Sequence, residues 1–167
     1  MLQVMLDLET MGSDSDAAVV AIGAVKFDPA TGKTGEEFYE VVDLQSSVDA
    51  VMWWMRQEDE ARKKISEVKG VPLRDALVRF SEWFGDDKPV WGDGATFDNV
   101  ILSNAYSLTG LKRPWSYRSD RCYRTMKNLK NVPVNRVGTF HCAVDDARTQ
   151  AAHLMEILKL VPDNGCM

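Results

Sequence analysis

Cysteine is scarce in this 167-residue chain, which has only Cys122, Cys142 and Cys166. Three are too few for a disulfide scaffold, and their spacing matches no zinc-ligand pattern. Buried or incidental thiols in a reducing compartment are expected, and with them a cytoplasmic location. Long apolar runs are missing as well. No stretch approaches the ~20 residues of a membrane span, and no charged-then-apolar leader precedes the first apolar segment. Repeats, linkers and low-complexity tracts are absent, so the length is that of one domain able to bury a real core. An excess of basic charge is absent too: the formal charge of −5 argues against a general nucleic-acid binder unless bound cations offset the acids. Histidine is limited to His141 and His153.

What the chain does have is an alternation of strand and helix patterns. Residues 3–8 and 18–27 are apolar and β-branched, and "DPATGKTG" after Phe27 is dense in turn formers. A third strand, "EEFYEVVDL", should complete an antiparallel meander. From about Ser47 the pattern becomes helical. In "VPLRDALVRFSEWFG", Leu73, Ala76, Leu77, Phe80 and Phe84 fall at helical spacing, with Gly85 as the stop. "KPVWGDG" reads as a short strand, and "TFDNVILSNAYSL" as a helix with Phe97, Val100, Ile101 and Leu108 on one face. The last helix should run from about Ala143 to Leu160, with Val144, Ala147, Ala151, Leu154 and Leu158 inward. Strands first as a meander, then alternating with helices, imply a mixed α/β sheet covered on both faces.

Three acidic features interrupt this pattern. In "MLDLETMGSD", Asp7 and Glu9 sit two apart in an apolar strand, so they share a face with Cα atoms roughly 6–7 Å apart. Such a pair is either solvated where the strand meets its loop or holds a cation, since two close carboxylates resist desolvation unpaired. In "VWGDGATFDNVIL", Asp98 falls in the first turn of a helix, where acids are ordinary. In "HCAVDDA", His141 lies in a loop and Asp146 opens the last helix. Asp145 would point about 100° away from Asp146 and is expected to be solvated. His153, inside that helix, should be structural.

Together, D-x-E, the later aspartate and H-x(4)-D resemble the DEDD superfamily of metal-dependent 3′→5′ exonucleases. The match is to the DEDDh branch, with ribonuclease T, oligoribonuclease and polymerase proofreading subunits. "WWMRQ" (Trp53 to Gln57) and "VWGDGATFD" look most like the compact subgroup of phages and mycobacteria. The resemblance implies a ribonuclease-H-like fold with a five-stranded sheet ordered 3-2-1-4-5, an exonuclease domain over 1–161 and a short tail over 162–167. It implies two divalent cations, Mg²⁺ or Mn²⁺, held by Asp7, Glu9, Asp98 and Asp146, with His141 as general base. Two such ions would bring the formal −5 to about −1. The implied reaction is hydrolysis of single-stranded RNA or DNA from its 3′ end to 5′-mononucleotides. The rival readings are a non-catalytic 3′-end binding module and a phosphoesterase acting on a small substrate. Thr10 and Met11, just after the D-x-E, and Trp54 are candidate substrate contacts. From Lys112 to Arg136, eight Lys and Arg face one acid, Asp120, with Trp115, Tyr117 and Tyr123 among them. That mixture suits a single strand, with Arg121 and Arg124 near its phosphates, or else it is a solvated face over aromatic core residues. The resemblance also suggests a homodimer.

Overall fold

A computed structural model of the chain describes residues 1–43, 69–94 and 96–161. The helix expected from about Ser47, with Trp53, Trp54 and Gln57, and the tail 162–167 lie outside the described residues. Five strands form one sheet: β1 (Gln3–Thr10), β2 (Val19–Asp28), β3 (Lys33–Val41), β4 (Val90–Gly92) and β5 (Asp120–Cys122). Their order is β3-β2-β1-β4-β5, as expected. The first three make the antiparallel meander, while β4 and β5 run parallel to β1. β3 starts inside the turn-rich segment, because Lys33 and Thr34 already pair with Asp28 and Phe27. The described helices are α1 (Leu73–Phe84), α2 (Asp98–Leu108), α3 (Tyr123–Leu129) and α4 (Ala143–Lys159). None of them is long and apolar enough to cross a membrane.

Alternation along β1 decides where its acids go. Val4, Leu6 and Leu8 join Ala76, Leu77, Phe80, Phe84, Ile101 and Leu102 of α1 and α2 in one core. Met5 points the other way, into a second core with Ala147, Ala151, Leu154 and Ile157 of α4. Side chains two apart share a face, so Asp7 and Glu9 follow Met5 toward α4. They are therefore not solvated at a strand end. Glu9 is buried and Asp7 half-buried beneath the first turns of that helix.

Two glycines let the helices come that close. Gly23 of β2 stands opposite Asp7, and a Cβ there would lie 2.1 Å from the Ala143 carbonyl carbon. The start of α4 thus rests directly on the sheet beside Asp7. At the end of β4, a Cβ on Gly92 would lie 2.7 Å from Asn99 Oδ1 and 2.9 Å from Asp98 Cβ, so the head of α2 is seated the same way. At Gly23 the neighbour is backbone and at Gly92 it is the Asp98 and Asn99 side chains, and neither distance leaves room for a Cβ.

The buried stripe of α2 differs from the expected one. Asp98, Ile101, Leu102 and Ala105 face inward, with Asn99 and Tyr106 beside them, whereas Leu108 is 77% exposed. Apolar spacing alone pointed to Phe97, Val100, Ile101 and Leu108, of which Ile101 is buried and Phe97 packs against the same core. The sheet-facing stripe instead begins with a carboxylate that finds backbone donors when buried.

Candidate active site

Asp7, Glu9 and Asp146 converge at the mouth of this arrangement, each offering an oxygen within 4.8 Å of the others. They line an open cleft of about 530 Å³ together with Thr10, Asp93, Phe140, His141 and Gln150. Asp146 reaches it from the first turn of α4, a place that favours negative charge. Asp98 sits behind the three, buried, with Oδ1 accepting from the Leu8 N–H (3.1 Å) and Oδ2 from the Asp93 N–H (2.7 Å). Each of its oxygens keeps a second lone pair, so these bonds leave it able to ligate.

Burial and neighbouring carboxylates favour the protonated forms of Asp7, Glu9 and Asp98. Burial, then repulsion by Asp146 and Asp98, pushes Glu9 up to about 8 against some relief from Arg136. Burial also drives Asp98 up to about 7, despite the opposing hydrogen bonds from Leu8 and Asp93. Asp7 is raised well above the usual carboxylate range by burial and then by Asp98, Asp146 and Glu9. Such a cluster is stable when protonated or when a cation neutralises it. Its donors are all oxygen, which fits a hard divalent ion of the Mg²⁺ or Mn²⁺ kind.

Several residues outside the acidic motifs complete the site. Gln150 Nε2 donates to Asp7 Oδ1 at 2.7 Å, and its own Oε1 is buried without a partner among the described residues. It follows Asp146 by four, one helical turn, and that spacing was the available signal. Asp93 orients Asp98 through its N–H, while its side chain pairs with Arg124 (3.1 Å) and Lys127 (3.6 Å). Arg136 pairs with Asp146, donates to the Thr139 carbonyl and lies over the Phe140 ring at 4.2 Å. It therefore belongs to the acid site and not to a free basic face. His141, exposed at the cleft wall, adopts φ +57°. Thr10 lines the cleft and its hydroxyl donates to the Gly12 carbonyl (2.7 Å). Met11 follows it, tied through its N–H to Ala18 O (2.9 Å). Trp54 lies outside the described residues.

Asp145 is not solvated. It is 5% exposed, accepts from the Thr139 N–H (3.0 Å) and pairs with Arg148. The helical offset from Asp146 holds, but the loop before α4 covers that side. His153 is structural as expected: its Nε2–H donates to Val132 O (2.9 Å), which leaves Nδ1 to accept from the Tyr123 hydroxyl (2.6 Å).

The basic segment divides. Trp115 is core, ringed by Phe84 (5.8 Å) and Tyr106 (5.9 Å), with Nε1 donating to Asp120 (2.8 Å). Tyr123 is buried against His153. Tyr117 is exposed, with Arg118 over its ring. Arg113 is taken up by Asp120 and Ser103. Arg124 stands at the cleft rim through Asp93, whereas Arg121 lines a neighbouring 290 Å³ pocket and donates to the carbonyls of Arg118 and Asp120.

Comparison with known proteins adds to this geometry. Residues 2–158 match the family described as the 3'-5' exoribonuclease Rv2179c-like domain. An exodeoxyribonuclease of Enterobacteria phage T4 is 30% identical over 124 residues, 61% of this chain and 54% of that protein. The chain thus spans about half the length of that relative. The nuclease domain of 3'hExo, a DEDDh family member bound to rAMP, superposes with a TM-score of 0.68 at 14% identity, covering 95% of this chain and 92% of that one. Exonuclease X in complex with 5′-overhanging duplex DNA gives 0.61 at 16%, covering 99% and 94%. At these identities the structural likeness concerns the fold, which is ribonuclease-H-like.

Proposed function

The chain belongs to the Rv2179c-like family of 3'-5' exoribonuclease domains, and on that premise we propose that it is a divalent-cation-dependent 3′→5′ exonuclease releasing 5′-mononucleotides from single strands. The observation that carries this reading is the convergence of Asp7, Glu9 and Asp146 within 4.8 Å, with Asp98 buried behind them. These four acids would hold two Mg²⁺ or Mn²⁺ ions. When bound, the cations supply the charge that draws in the scissile phosphate and acidifies water beside it.

The remaining steps belong to side chains. Gln150 donates to Asp7 Oδ1, and the Leu8 and Asp93 amides occupy one lone pair on each oxygen of Asp98, so both carboxylates are aimed before substrate arrives. His141, at the wall of the same cleft, takes the proton from the attacking water as it adds to phosphorus; the P–O3′ bond breaks in line, and the departing 3′ oxygen takes up a proton from solvent in the open cleft. Its exposure lets the captured proton pass to solvent. Phe140 and Ser13 are the exposed residues at the edge of this cleft beside His141, and the strand would enter past them. Arg124 at the rim, with Met11, Trp54 and Arg121, would grip the terminal nucleotides.

RNA is the favoured polymer, on the family's description as exoribonucleases. DNA is the second reading, supported by the relation to the phage exodeoxyribonuclease. The test is digestion of matched 5′-labelled RNA and DNA oligomers with Mg²⁺ or Mn²⁺. The expected product is a ladder shortening by single nucleotides from the 3′ end, faster on RNA and abolished by EDTA. An undigested oligomer bound tightly at its 3′ end would mean a non-catalytic module. Cleavage of a nitrophenyl phosphoester with the oligomer left intact would mean a small-substrate phosphoesterase.

A further inference from the structure

The segment that carries His141 is fastened to α4 from the side away from the acid cleft. The Val137 N–H donates to Thr149 Oγ1 at 3.1 Å, and that hydroxyl is itself fixed by donation to the Asp145 carbonyl at 2.8 Å. Two residues on, the Thr139 N–H donates to Asp145 Oδ2 at 3.0 Å. Between them Gly138 lies flat on the Asp145 carboxylate. It has φ +74°, and a Cβ there would be 2.3 Å from Asp145 Cγ. Thr149 and Asp145 are 4% and 5% exposed, so both acceptors are buried groups, for which a lost partner is costly. The segment ends at His141, itself in the left-handed region at φ +57°. A residue other than glycine persists there when its surroundings hold it. Asp145 pairs with Arg148, which also pairs with Glu37 of β3, so the fastening is tied to the sheet.

We propose that Thr149 and Asp145 are positioning residues for His141: they clasp the 137–139 backbone against α4 and so set where the imidazole stands relative to the acids. Neither needs to touch substrate or cation. The clasp rests on the reading of His141 as the base. It adds that the base is aimed through the backbone behind it. An imidazole displaced by about 1 Å can lose up to ~100-fold in rate without any change in the groups that bind metal.

The test is a double-mutant cycle. Thr149→Val keeps the side-chain shape and removes the acceptor for Val137. It should lower kcat by about 10–100-fold, with KM and the calorimetric Mn²⁺ affinity unchanged, and Thr149→Ser should restore the rate. Placed in His141→Ala, Thr149→Val should cost nothing further, because there is no longer an imidazole to aim. Gly138→Ala, which forces the segment off Asp145 from the loop side, should behave in the same way. A wild-type rate in Thr149→Val, or a loss that adds in full to that of His141→Ala, overturns the clasp alone. A wild-type rate in His141→Ala overturns the reading of the base and the clasp with it.

Discussion

Replacing Glu9 by Gln should stabilise the cation-free protein, and the gain should depend on pH in a defined sense. Glu9 is 6% exposed and carries its proton up to about pH 8, against an ordinary value of 4.5, because burial and then Asp146 and Asp98 oppose its charge. Its carboxyl therefore holds a proton in the folded chain that the unfolded chain has already released. Unfolding between those two values releases a proton, so stability falls as pH rises from about 4.5 to about 8 and levels above. A shift of that size corresponds to about 5 kcal/mol at 1.36 kcal/mol per unit. The cleft is open and relaxation and water relieve part of the repulsion, so about 2–4 kcal/mol is the expected effect. Urea unfolding in EDTA should show Glu9→Gln and wild type nearly equal at pH 5 and the variant more stable by that amount at pH 8.5. Saturating Mn²⁺ should reverse the order, since only the intact site gains fully from binding. A variant less stable than wild type at pH 8.5 in EDTA, or one with the same pH slope, would refute the repulsion on which the cation site is argued.

Asp7→Asn, Asp98→Asn and Asp146→Asn should each fold and each lose nuclease activity; calorimetric titration showing wild-type Mn²⁺ binding in all three would remove the acids from the metal site. His141→Ala should lose about 10²–10⁴ in kcat with KM and Mn²⁺ affinity intact, as measured by steady-state kinetics alongside calorimetry. Arg124→Ala should weaken single-strand binding for every sequence and flatten the log–log salt dependence by about one unit, and an unchanged slope would make it a solvated side chain. Trp115→Ala should cost about 3–5 kcal/mol in urea unfolding and leave single-strand affinity unchanged below its melting point, as befits a core ring.

Much of this arrangement was legible in the sequence because it depends on local periodicity. The D-x-E on β1 and the meander followed by helices follow from period-two and period-3.6 patterns, while the sheet order and the grouping of His141 and Asp146 with the other acids came with the family resemblance. What escaped were contacts between segments distant in sequence. Trp115 and Tyr123 sit in a basic stretch that reads either as a binding face or as a solvated face over aromatic core residues, and what decides for the core is contact with Phe84, Tyr106 and His153 on other elements. Asp145 was expected in water because a helical wheel cannot show that residues 137–139 fold back over it. The buried side of α2 was misjudged since the backbone donors that satisfy Asp98 come from β1 and from the loop after β4. Gln150 offered only its four-residue spacing from Asp146 on α4, and Arg136 offered no signal at all, so it is packing that shows them at the acids.

Anomalous diffraction from crystals grown with Mn²⁺ and a nucleoside 5′-monophosphate tests the central claim most directly. The account predicts Mn²⁺ peaks in the cleft among Asp7, Glu9 and Asp146, one within reach of Asp98, with the phosphate against them and His141 facing it. Mn²⁺ bound elsewhere, with these carboxylates still turned on one another and the phosphate outside the cleft, would contradict it.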